Sequence, residues 1–140
     1  MKYRFLPHTA DTMFEAYGKT LEELFENCAL AVEEVMVNIK TINSIEEYEI
    51  TLDNISEEGL LYDLLSELIF IKDTEGLLFR EFEVIIHHKN KKYELFVKCK
   101  GEHIDREKHE LLDDAKAITK HEFEIKKEDD LYKSRIIVDI

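Results

Sequence analysis

Along this chain the apolar positions recur at a period of two, then of 3.6 twice, and then of two again. Residues 1–6 are short and apolar-rich, as an opening strand is, and residues 12–17 read as a second strand. Gly18-Lys19 turns the chain. Thr20 and Glu23 then form a capping box, Thr20 as N-cap and Glu23 reaching back. The helix that follows runs to about Val37. Leu21, Leu24, Phe25, Cys28, Ala31, Val32, Val35 and Met36 make its apolar stripe, while Glu22, Glu26, Asn27 and Glu33 fall opposite and are expected in water. In residues 46–52, Tyr48, Ile50 and Leu52 alternate with polar positions, the pattern of a half-exposed strand. Ser56 caps a second predicted helix over residues 57–72, with Glu57 and Glu58 at the positive end of its dipole. Leu60, Leu61, Leu64, Leu65, Leu68 and Ile71 bury it, and Gly76 is placed to end it with a positive φ.

From Leu77 onward the helical period is gone. Residues 77–88 read as a long strand, 89–91 as a turn, and 92–99 as a strand with Tyr93, Leu95, Val97 and Cys99 inward. Residues 102–104 have the look of a short strand, and 105–113 of a charged loop. Residues 115–126 alternate with Ala117, Thr119, Phe123 and Ile125 on one face, which predicts one strand. Glu128-Asp129-Asp130 turns into a last strand, Arg135-Ile136-Ile137-Val138-Asp139-Ile140. The predicted class is α+β: two amphipathic helices packed on an antiparallel or mixed β-sheet. Short polar connections leave no second domain boundary, so one domain over residues 1–140 is expected.

Composition narrows the function. Eight Phe and six Tyr within a hydrophobic fraction of 44% support a packed core rather than disorder. No run approaches the length of a membrane span, and the opening Met-Lys-Tyr-Arg-Phe lacks a signal-peptide apolar region, so a cytoplasmic protein with no membrane contact is expected. The two cysteines, Cys28 and Cys99, sit at apolar periodic positions and read as free buried thiols. The net charge of −13 excludes strong nonspecific nucleic-acid binding, which draws on Lys and Arg contacts to phosphate. The one dense basic run, His87-His88-Lys89-Asn90-Lys91-Lys92, falls on a hairpin turn and reads as solvated. An acidic surface favours encounter with a basic protein.

Candidate chemistry gathers at the two ends. Phe5-Leu6-Pro7-His8-Thr9-Ala10-Asp11 makes a polar corner after the first strand. Thr9 and Asp11 either cap that turn through the backbone or bind something. At the other end Asp139 lies among β-branched residues. If the ends meet, Asp11, Asp139 and the carboxyl of Ile140 supply hard oxygen ligands, which suit calcium or magnesium rather than zinc. His8 either orients Asp11 or makes a plain structural hydrogen bond. Lys116, between small residues, is either an exposed lysine or one set beside those carboxylates or presented to a partner. His103, His109 and His121 lie in charged segments and are expected in solvent. There is no zinc-type Cys/His spacing, glycine-rich phosphate loop or nucleophile elbow.

Several stretches together resemble the archease family. They are Leu6-Pro7-His8-Thr9-Ala10-Asp11, residues 20–29 of the first helix, residues 60–68 of the second, Lys116-Ala117-Ile118-Thr119, and Val138-Asp139-Ile140. They follow the family's order and span the chain. Two positions depart from its pattern: Gly18-Lys19 stands where the family has Gly-Asp, and Lys120 where it often has Tyr.

The resemblance implies a strand-helix-strand-strand module elaborated with a second helix and further strands. It implies an accessory protein rather than an enzyme, one that assists the GTP-dependent RNA ligase of tRNA splicing by promoting guanylylation and repeated turnover. It also implies a divalent-cation site, calcium before magnesium or manganese, at Asp11, Asp139 and Ile140, and a role for Lys116 in activation. A link to tRNA methyltransferase activity comes with the same resemblance. Two rivals stay open: a stand-alone metal-dependent hydrolase, and a metal staple that only ties the ends together.

Overall fold

The computed structural model describes residues 1–7 and 11–140. In chain order the elements are β1 (Tyr3–Leu6), β2 (Thr12–Gly18), α1 (Leu21–Met36), β3 (Glu46–Asn54), α2 (Glu57–Glu75), β4 (Leu77–Lys89), β5 (Lys92–His103), β6 (Ala117–Ile118), β7 (Ile125–Glu128) and β8 (Leu131–Asp139). A short 3₁₀ turn, Ile39–Thr41, follows α1. The expected class is borne out, and every strand pairing is antiparallel. The strands divide into two sheets. One runs β1-β2-β8-β6 with β7 also on β8, and the other runs β3-β5-β4.

The helices form where the sequence placed them, for the reasons it gave. Thr20 Oγ1 accepts the Glu23 N–H at 3.1 Å, and the Glu23 carboxylate accepts the Lys19 N–H at 3.2 Å, which closes the capping box one residue early. Ser56 Oγ accepts the Gly59 N–H at 2.9 Å. Gly76 ends α2 at φ 66°, ψ 29°, with its N–H on the Lys72 carbonyl. α1 spans the two sheets, contacting β2 in one and β4 in the other. The core between helices and sheets joins Phe14, Ala16, Ile136 and Val138 to Phe79, Leu95, Val97 and Cys99. Both cysteines are buried and free, and burial pushes both thiols up, Cys99 to about 12. Among the described residues no helix is long and apolar enough to cross a membrane.

Four expectations need correction. The strand expected over residues 115–126 is two short pieces, β6 and β7, with Glu122 at φ 55° in the loop between them; both pieces pair with β8. Its inward set is shifted as well: Ala115 and Ile118 are buried, and Ala117 faces out. Glu33 and Asn27, expected in water, are buried. Because α1 is covered on more than one side, its solvent-reaching polar positions are only Glu22, Glu23, Glu26 and Glu34. Asn27 donates to the Tyr17 carbonyl at 2.6 Å, and Glu33 Oε1 accepts the Phe79 N–H at 2.8 Å, beside a register shift in β4 between Phe79 and Glu81. His109, expected in solvent, is buried against Glu102, with Nε2 2.7 Å from Oε1. Its Nδ1 accepts the Asp105 N–H, so Nε2 carries the donated proton. The last strand starts at Leu131, four residues before the expected Arg135.

Candidate functional site

The β2–β8 ladder sets the geometry at the two ends of the chain. Its last pair is Thr12 with Val138. Asp11 immediately precedes Thr12 and Asp139 immediately follows Val138, so the two acids stand at the same end of neighbouring strands. On the other side of β8, Ala117 pairs with Asp139 and Ile118 with Val138. The Lys116 N–H donates to the Asp139 carbonyl at 2.7 Å, and the Thr119 N–H donates to the Ile137 carbonyl at 3.0 Å. Backbone pairing therefore joins Lys116 to Asp139, although 23 positions separate them in the sequence. Asp139 and Ile140 are half-buried and Lys116 is exposed. His8 lies outside the described residues, so its expected role stays a sequence reading.

A residue not singled out from the sequence holds this end in place. Lys72, near the C-terminus of α2, reaches the Asp114 carboxylate at 2.5 Å, that of Asp73 at 2.7 Å and the Ala115 carbonyl at 3.0 Å. It fixes the chain at the residue before Lys116. The Lys72 ammonium in turn holds the Asp114 carboxyl below the usual carboxylate range. The only sequence signal for this was a lysine in the last turn of a helix, a position that the dipole alone would explain.

The donor set at this end has the right chemistry for a hard divalent cation, since carboxylate oxygens are what calcium and magnesium take. Among the described residues no three His, Cys, Asp or Glu side chains gather as a metal site. The expected set asks for only two such side chains, with the third oxygen donor the carboxyl at Ile140.

A second polar cluster, also unforeseen, lies midway along the same strands. Arg4, Glu15 and Arg135 are register partners across β1, β2 and β8. Glu15 is buried beneath them and accepts from Arg4 Nη2 at 3.0 Å, Arg135 Nη2 at 3.0 Å and the Tyr17 hydroxyl at 2.5 Å. Burial pushes the Glu15 carboxyl up, but the hydrogen bonds from Tyr17, Arg135 and Arg4 outweigh it, and the net value is about 2. Period-two patterning hid this residue, because an acid between Phe14 and Ala16 reads as solvent-facing.

Two antiparallel sheets spanned by a pair of capped helices, with two acids at the same end of neighbouring strands and a lysine backbone-paired to one of them, define an α+β protein whose candidate site is that strand end. Residues 3–140 match the model of the Archease protein family (MTH1598/TM1083), and the chain belongs to that family. It is 44% identical over 138 residues to protein archease of Methanothermobacter thermautotrophicus, covering 99% of this chain and 98% of that one. It is 42% identical over 134 residues to protein archease of Pyrococcus abyssi, covering 95% and 94%. The solution structure of Methanobacterium thermoautotrophicum protein 1598 superimposes with a TM-score of 0.89 at 43% identity, over 99% of this chain and 98% of that one. A Thermotoga maritima crystal structure described as an archease, possible chaperone, shares the fold at a TM-score of 0.60 and 22% identity, over 96% and 94%.

Proposed function

We propose that this protein is an accessory factor that activates the GTP-dependent RNA ligase of tRNA splicing, promoting its guanylylation and multiple turnover. The observation that carries the reading is the strand end where Asp11, Lys116 and Asp139 are neighbours, in a member of the archease family. Carboxylates and a lysine, with no nucleophile-and-base pair among the described residues there, suit a site that completes another protein's chemistry rather than performing its own. Asp11, Asp139 and the carboxyl at Ile140 would hold a divalent cation, calcium before magnesium or manganese. Such an ion, when bound, supplies a concentrated positive charge that orders oxygen ligands. Asp139 and Lys116 share a backbone hydrogen bond, which keeps the two residues at one strand end. His8 orients Asp11 in this reading. The net charge of −13 favours docking on a basic protein face in the cytoplasm.

Ligase turnover measured with and without this protein tests the proposal. A substoichiometric ligase that completes many ligations only when the protein is present is the expected result. Unchanged ligase turnover would refute the accessory role, and hydrolysis of a phosphorylated substrate by this protein alone would replace it with that of a metal-dependent hydrolase.

A further inference from the structure

We propose that the groove over the outer face of the five-stranded sheet binds a phosphorylated ribonucleoside, with the phosphate seated on Lys133 and Arg135. This site is separate from the Asp11–Asp139 end and does not rest on the ligase reading.

Around Glu15 positive charge is in surplus. Three cations converge on the single Glu15 carboxylate: Arg4 and Arg135 at 3.0 Å and Lys133 at 3.9 Å. Glu15 stays ionised through the neutral range, so it cancels one of the three charges. Its oxygens are taken, Oε1 by Arg4 and Tyr17 and Oε2 by Arg135. Lys133 sits beyond hydrogen-bonding distance of Glu15, so its N–H donors are not spent there. Arg135 spends only Nη2 on Glu15, which leaves the rest of its five-donor fork. A buried carboxylate that holds guanidiniums in place while satisfying only part of their charge pre-organises them for a second anion.

The shape and lining of the groove then select the anion. It measures about 600 Å³, within the usual span of small-molecule sites, and Glu15, Lys133 and Arg135 line it. The lining also contains Phe123, half-buried and edge-on to Tyr62 at 5.7 Å, which offers an apolar wall to a base. Glu124 lies 3.3 Å from Lys126, and those two charges offset each other. Glu122 and Glu128 remain as acceptors on the same lining. A bare phosphate would have no use for carboxylates, whereas ribose hydroxyls are donors that match them. A long polyanion is disfavoured by the net charge of −13, so a single nucleotide or one strand terminus is the ligand class.

Calorimetric titration of the full chain with adenosine monophosphate, adenosine and inorganic phosphate tests this. Saturable one-to-one binding of the monophosphate is expected, with phosphate at least tenfold weaker and adenosine silent. Lys133→Met should weaken the monophosphate at least tenfold, and Lys98→Met, on the other sheet, should leave it unchanged. Arg135→Gln provides a second test of the phosphate seat, with melting curves to show that each variant is folded. A 5′-phosphorylated oligoribonucleotide separates the two sources: tighter binding than the monophosphate assigns the site to an RNA end, equal or weaker binding to a free nucleotide. The proposal is overturned by any of three results: no saturable binding of the monophosphate, wild-type affinity in both Lys133→Met and Arg135→Gln, or an equal loss in Lys98→Met.

Discussion

Replacing Glu33 with Gln should make the protein more stable at alkaline pH and change little at acid pH. Glu33 is fully buried at the C-terminal half of α1, where burial pushes its carboxyl up to about 8 against an ordinary 4.5. The Phe79 N–H and the Lys72 charge pull the other way without reversing it. Cys99, on β5, is the remaining titratable neighbour, and its thiol is pushed up in part by Glu33. Oε1 is satisfied by the Phe79 N–H, and Oε2 has no hydrogen-bond partner among the described residues. A raised folded value means that the native state holds its proton more tightly than the unfolded chain. Stability from this group is therefore complete below pH 4.5 and is lost as pH climbs toward 8. The slope is about 1.4 kcal/mol per pH unit, which accumulates to about 5 kcal/mol over that window. Glutamine keeps the acceptor for Phe79 and cannot ionise. Urea unfolding at pH 5, 7 and 9 should show wild-type stability falling while Glu33→Gln stays nearly level, with the gap widest at pH 9. Parallel curves for the two proteins would refute the buried-acid argument.

Three further outcomes follow from the same geometry. Glu15 and Glu102 are both held at about 2, and Glu102 owes this to Lys108, His109 and the Asn43 N–H outweighing its burial. Their depressed values contribute stability that is present above 4.5 and is lost as pH falls toward 2, so Glu15→Gln or Glu102→Gln should flatten the acid limb of a melting-temperature profile. Gly101→Ala should cost about 2–3 kcal/mol in chemical unfolding, because a Cβ there would lie 1.9 Å from the Leu78 carbonyl oxygen at the β4 irregularity. Lys72→Met should release the chain ahead of Lys116, raising hydrogen exchange at the Lys116 and Thr119 amides while exchange in β5 stays unchanged.

Much of the fold could be read from the sequence because local rules and tertiary structure agree there. The capping box at Thr20, the Ser56 cap, the Gly76 terminus and the β4–β5 hairpin each depend on residues close in sequence. The misses depend on pairings that residue type and period do not show, some with chain close in sequence and some with chain far from it. Glu33 is polar by type, yet it is buried because the irregularity in β4 leaves the Phe79 N–H to find its acceptor on α1. His109 is buried because Glu102 and the Asp105 N–H are there to satisfy both ring nitrogens. Residues 115–126 kept their alternation on paper, but β8 offers them pairing in two separate places. At the candidate site, Asp11, Lys116 and Asp139 were named from residue types and family resemblance. Lys72 and Glu15 were not, because a lysine in a last helical turn and a glutamate in a strand are ordinary by local rules. The β8 register shows what Glu15 holds, and the approach of α2 to the chain ahead of β6 shows what Lys72 holds.

The proposed role of the acids at the β2–β8 end is to complete a partner's chemistry. Its most direct measurement is guanylylation of the GTP-dependent RNA ligase in the presence of Asp139→Ala, with circular dichroism and melting curves showing that the variant is folded. Stimulation should disappear while the fold remains; stimulation equal to that of the unsubstituted protein would overturn the proposed role.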